Sequence, residues 1–117
     1  NGYQSLLSNT TGNYNTANGS QSLYNNSIGN YNTANGSWAL YDNTEGNNNT
    51  ANGYNALSYN IIGSANTASG SYALYYNTAG SNTALGYESL RNNTDRGELV
   101  AVGYQALYNN GTWDGKE

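Results

Sequence analysis

The chain is 117 residues long, with a net charge of −4 from three Lys and Arg against seven Asp and Glu, and with thirteen Tyr, two Trp, fifteen Gly and no Pro, Cys, Met, His or Phe. That is enough for one small domain, and it leaves no disulfide framework, no cysteine nucleophile, no zinc site of the usual kind and no histidine base. The acidic balance argues against a nucleic-acid partner, because phosphate binding needs basic clusters. No stretch approaches the ~20 apolar residues of a membrane span, and no signal peptide is read. The absent start Met suggests a processed piece of a longer chain. Composition alone, rich in Asn, Gly, Ser and Thr, points to disorder. Order along the chain overturns that.

Asn-Thr-Ala recurs at Asn15, Asn32, Asn49, Asn66 and Asn82. A Gly follows at Gly2, Gly19, Gly36, Gly53, Gly70, Gly86 and Gly103, at steps of 17, 17, 17, 17, 16 and 17. A second series, Gly12, Gly29, Gly46, Gly63, Gly80 and Gly97, steps by 17 throughout. The one missing residue is therefore expected after Gly80, in the loop around Ser81 and Asn82. The chain divides into a partial coil 1–14, coils 15–31, 32–48, 49–65, 66–81 and 82–98, and a partial coil with a tail, 99–117. No linker or second domain is visible.

Helical repeats need about 33 residues and two amphipathic helices per unit. This unit has two Gly, several Asn and no helical apolar period. The reading is an all-β parallel β-solenoid, with neighbouring coils ~4.8 Å apart. In each coil a first strand is expected on Asn-Thr-Ala-x, as at Asn32 to Asn35. Gly then turns the chain. A second strand is expected on Trp38 to Asp42, and Asn43 to Asn48 returns. The first Gly column (Gly19, Gly36, Gly53, Gly70, Gly86) calls for positive φ or close backbone approach, and the second for the same. Leu6, Leu23, Leu40, Leu57, Leu74, Leu90 and Leu107 form one column, and Ala17, Ala34, Ala51, Ala68, Ala84 and Ala101 another. These are assigned to the interior. Asn9 to Asn110 and Asn15 to Asn82, at the same step, are read as amide ladders.

One Leu and one Ala per coil make a thin core. Self-association about an axis along the solenoid is expected to supply a second apolar surface. The column of Ser5, Ser22, Ala39, Ala56, Ala73, Ser89 and Ala106, the Thr column ending in Val100, and the Tyr-rich columns are the candidates. Val100 in place of Thr suggests that its column is buried there.

At these residues a resemblance emerges. The string Asn-Thr-Ala-x-Gly-x-x-Ala-Leu, and Val100-Ala101-Val102-Gly103-Tyr104-Gln105-Ala106, is similar to the head repeats of trimeric autotransporter adhesins and to repeats of phage-type tail fibres. It covers nearly the whole chain, although adhesin-head repeats are shorter. The resemblance implies a left-handed β-roll, a homotrimer, and an extracellular place on a cell or virion surface as an attachment segment. Its partners would be sister copies and surface glycans of a host or prey envelope.

The aromatic set (Tyr3, Tyr24, Tyr41, Tyr54, Tyr72, Tyr75, Tyr76, Tyr87, Tyr104 and Tyr108, with Trp38 and Trp113) suggests stacking on sugar rings, beside the plainer reading that Tyr ladders cover the roll and fill seams. Trp38, Tyr72, Tyr41 and Trp113 are the candidate contact residues. Trp38 leads because its column otherwise holds Gln4, Gln21, Asn55, Tyr72, Glu88 and Gln105. The evenly spaced Thr16, Thr33, Thr50, Thr67 and Thr83 resemble the arrays of ice-binding solenoids. Those usually carry two Thr columns and this chain has one, so a ladder or seam is preferred. A monomeric ice- or surface-binding solenoid is the alternative. The acidic residues are scattered and no carboxylate pair shares a column, so no glycosidase site is assigned. Glu88 with Arg91, and Asp95 with Arg96, read as surface charges. No catalytic residue, cofactor or metal ligand is assigned.

Overall fold

The computed structural model describes residues 1–110. The expectations placed on the tail, Trp113 among them, lie outside the described residues. The repeat winds into a parallel β-solenoid, with no helix among the described residues. Six strands form one sheet: β1 (Thr16–Asn18), β2 (Thr33–Asn35), β3 (Thr50–Asn52), β4 (Thr67–Ser69), β6 (Thr83–Leu85) and β8 (Val100–Val102). Every pair is parallel, and the columns run in register, Thr16 to Thr33 to Thr50 to Thr67 to Thr83 to Val100. Each strand turns one Ala inward and its two neighbours outward. The first strand of the coil is thus where the sequence placed it.

The second strand is not. Residues 37–42 form a turn-rich wall, and regular pairing survives there only between β5 (Tyr76–Asn77) and β7 (Asn92–Asn93). The reason lies in the backbone. Trp38 and Leu40 sit at φ 63° and 51°, and their equivalents in every described coil are left-handed too. The wall still bonds to its neighbours. Trp38 N–H donates to Ser20 O in the preceding coil, and Leu40 and Asp42 donate to Ala56 O and Ser58 O in the next. Left-handed backbone costs an L-residue about 1–2 kcal/mol. Leu23, Leu40, Leu57, Leu74 and Leu90 are completely buried, which returns about 1.5–3 kcal/mol each. Burial outweighs the strain, so leucine, which rarely takes this geometry, holds it rung after rung.

The interior is made by Leu, Ala and the small column. Ser22, Ala39, Ala56, Ala73 and Ser89 are fully buried within the single chain, so this column is not left over for a seam between copies. That finding corrects the sequence expectation. It follows from the left-handed wall, which points the Leu and the small side chain one position earlier toward the sheet. The Thr column differs: Val100 is 71% exposed, so the single chain leaves that column on its outside.

The first Gly column behaves as expected. Gly19, Gly36, Gly53, Gly70, Gly86 and Gly103 have φ between 125° and 143°, and a Cβ on Gly53 would stand 2.7 Å from the Gly70 carbonyl carbon. The second column differs. Gly46 is not at positive φ. It is required by contact alone, since a Cβ there would meet Asn43 Oδ1 at 2.3 Å and Gly63 O at 2.4 Å. Nor is that series one column. Asn60 Nδ2 donates to Gly63 O three residues on, whereas Asn77 Nδ2 donates to Ala79 O two residues on. The missing residue therefore lies between Asn77 and Ala79, before Gly80 and not after it. Gly80 and Gly97 belong with Ser64, one place further along the loop: Ser81 N–H donates to Ser64 O and Glu98 N–H to Gly80 O.

Gly53→Ala combines a forbidden φ with a clash and is expected to lose about 3 kcal/mol. Gly103→Ala has φ 125° but no described atom within 4 Å of its added methyl, and is expected to lose about 1 kcal/mol. Urea denaturation of the two variants checks the difference.

Candidate functional site

The left-handed wall that turns the small residue and Leu inward leaves the positions just before and just after that pair, Trp38 and Tyr41 in one coil, on its outer side. Those positions carry most of the aromatic rings. Trp38 stacks on Tyr41 with ring centroids 4.9 Å apart and planes 21° off parallel, and Tyr41 stacks on Tyr24 at 5.0 Å and 12°. Trp38 is 39% exposed, but its column is not solvent-facing throughout, since Asn55 is buried and Gln21, Tyr72 and Glu88 are half-buried. Asp42 follows Tyr41 on this wall, and its Oδ1 accepts from Asn25 Nδ2 at 2.6 Å. The stack thus has a flat apolar surface with hydrogen-bonding groups beside it.

Tyr72 stands in a second group. It packs edge-on against Tyr54 at 5.5 Å, Tyr75 at 5.3 Å and Tyr87 at 6.4 Å. Tyr59 joins from below, edge-on to Tyr75 at 5.1 Å and stacked on Tyr76 at 5.2 Å. Tyr87 and Tyr104 stack at 5.6 Å. The structure therefore brings Trp38 and Tyr41 together, and places Tyr72 in a neighbouring group.

Arg91 is the centre of that second group. Its guanidinium carbon lies 5.4, 5.2 and 5.7 Å from the ring centroids of Tyr72, Tyr75 and Tyr108, and Nη1 donates to the Tyr108 hydroxyl at 3.0 Å. Its Nε is 3.4 Å from Glu88 Oε1. Desolvated cation–ring contacts of this kind are worth about 2 kcal/mol, more than an exposed ion pair. Reading Arg91 only as a surface charge missed this role. The signal was present, since Arg91 occupies the column of Tyr24, Tyr41, Ser58, Tyr75 and Tyr108, one coil from a ring on each side. Tyr59 was also missed, because it falls one place beyond that column.

The chemistry is that of a contact surface. No concave pocket opens among the described residues, and no group of three His, Cys, Asp or Glu comes together there. Burial raises the Tyr75 phenol from its ordinary 10.0 to about 12, with Tyr59 contributing next. Burial also raises Tyr41, assisted by the Asp42 carboxylate, while Tyr87 is raised chiefly by Glu88. These rings stay neutral at any physiological pH. Comparison with known proteins finds no matching family model, no matching curated protein and no matching solved structure.

A raised phenol favours the folded state fully below the unfolded value and loses that contribution as pH climbs toward the folded one. Thermal stability is expected to fall between pH 10.0 and about 12, and Tyr75→Phe is expected to flatten that fall. A thermal-midpoint profile in alkaline buffers checks this. An unchanged profile in the variant would place the loss elsewhere.

Proposed function

We propose that this chain is a structural and adhesive segment of an extracellular fibre, assembled as a homotrimer along the solenoid axis, that holds to a glycan-bearing surface. The observation that carries the reading is the aromatic wall, above all the Trp38–Tyr41–Tyr24 stack with Asp42 and Asn25 beside it. Flat rings match the C–H faces of sugars, and carboxylate and amide groups match their hydroxyls. Such contacts are weak one at a time. A rod 43 Å long that repeats them, in parallel copies, gains by effective concentration. The rigidity of a roll bonded at every rung suits a projecting shaft.

Exposed apolar patches mark contact surfaces. Ile61 and Ile62 are exposed on the return loop, close along the chain to Tyr59, and Ile28 is exposed on the equivalent loop two coils earlier. That edge is the proposed contact between copies, since the small column is already buried inside each chain. Similarity of the Asn-Thr-Ala-x-Gly repeat to adhesin heads and tail fibres supports the same reading.

On an array of immobilised oligosaccharides the chain is expected to bind, and Trp38→Ala to lose about tenfold, the scale of one good stacking contact. Binding unaffected by Trp38→Ala, or no binding at all, would make the segment a spacer. Sedimentation is expected to give a trimer that Ile62→Asp converts to a folded monomer. A monomeric parent chain would overturn the assembly.

A further inference from the structure

We propose that Tyr14 and Tyr31 form a cross-linking site, where oxidation joins the two phenols as dityrosine and ties the first coil covalently to the second. The two rings are stacked, with centroids 4.9 Å apart and planes 8° off parallel. Tyr14 is 77% and Tyr31 58% exposed, so the pair adds little to the packed interior. Nor does the fold need a ring at this place. On the later coils it is taken by Asn48, Ala65, Ser81 and Glu98, all with the same left-handed backbone.

The scaffold holds the rings in register. Tyr14 and Tyr31 have φ 58° and 57°, so both side chains leave the backbone from the same geometry. On one side of the pair Asn13 N–H donates to Asn30 Oδ1 at 2.8 Å, and on the other Asn32 N–H donates to Asn15 Oδ1 at 2.9 Å. Tyr31 N–H itself donates to Asn13 O at 3.0 Å. Groups fixed in this way have already lost the freedom that coupling would otherwise cost. Exposure leaves each ring the tilt needed to bring two ring carbons together.

The pair is also closed. Among the described residues neither ring touches a third aromatic ring. The other stacks differ: Tyr24 and Tyr41 share theirs with Trp38, Tyr59 and Tyr76 both touch Tyr75, and Tyr87 touches Tyr72 as well as Tyr104. An electron hole placed on those rings can pass to a neighbour. One placed on Tyr14 or Tyr31 stays on the pair.

The co-reactant is hydrogen peroxide, with a haem peroxidase to deliver its oxidising equivalents. Each phenol gives up one electron and its hydroxyl proton. One molecule of peroxide takes both electrons and both protons and leaves as two molecules of water. The two phenoxyl radicals then form one carbon–carbon bond between ring positions ortho to the oxygens. The hydrogens on those carbons move to the oxygens and restore both phenols, so the product lacks two hydrogen atoms.

The test mixes the 117-residue chain with a haem peroxidase and hydrogen peroxide, and reads dityrosine fluorescence, intact mass and a peptide map. The chain is held at about 1 µM, where coupling within a chain, at an effective concentration on the order of millimolar, outruns coupling between chains by about a thousandfold. The product is expected to run as a single chain on a denaturing gel, to lack two hydrogen atoms, and to join the peptides that carry Tyr14 and Tyr31. Tyr14→Phe and Tyr31→Phe, checked for folding by circular dichroism, are each expected to lower the yield about tenfold or more. Tyr3→Phe removes a similarly exposed ring with no stacked partner among the described residues, and is expected to leave the yield unchanged. The isolated cross-linked chain is expected to unfold at higher urea than the parent. Absence of the cross-link would overturn the inference. So would a link mapped to another pair, a product that joins two chains, or Phe variants that match the parent.

Discussion

Everything in this roll depends on amide side chains bonded inside it. Asn43 donates through Nδ2 to Asn26 Oδ1 in the preceding coil and to Gly46 O in its own, at 2.9 and 2.8 Å, and its Oδ1 accepts from Asn60 and Asn49. The second ladder is woven into the first. Asn49 N–H donates to Asn32 Oδ1 one coil back, while Asn49 Nδ2 donates to Gly63 O in the return loop of its own coil. Buried polar groups without partners are expensive. Here part of each interior amide's bonding comes from its own loop and part from the neighbouring coil, so the chain completes it only when the coils stack in register.

That network accounts for several features at once. It explains why Gly recurs in the return loop, because a Cβ at Gly29, Gly46 or Gly63 would strike the ladder amide and the next carbonyl. It also explains the tolerance of a lost residue at Asn77–Ala79. The amide of Asn77 still reaches a loop carbonyl at 2.7 Å and still donates to Asn60 Oδ1 at 2.8 Å. With register fixed inside, the outer surface is free to carry rings on one wall and hydroxyls on the other.

Much of this was legible in the sequence. The step of 17 gave the coil, Asn-Thr-Ala gave the strand, and the Asn columns gave the ladders, because periodic residues in a solenoid stack by necessity. Other parts were not legible. Leu at φ near 50° defies its own preference, so alternation around Leu40 reads as a strand when it is a left-handed wall. That misreading sent Ala39 and its equivalents to a seam. The position of the lost residue was hidden because Gly80 keeps the apparent step while changing its structural place. Within the aromatic wall, Trp38 and Tyr41 were readable from their columns. The role of Arg91 emerged only once the coils were stacked and rings lay above and below it.

The most direct measurement is the urea unfolding midpoint of Asn43→Val and Asn60→Val. Valine is much nearer to asparagine in size than leucine is and adds apolar burial, so a roll held by hydrophobic contact would gain stability or keep it. If the interior amides hold the coils together, both variants lose at least about 2 kcal/mol. Midpoints equal to or above that of the parent chain would contradict it.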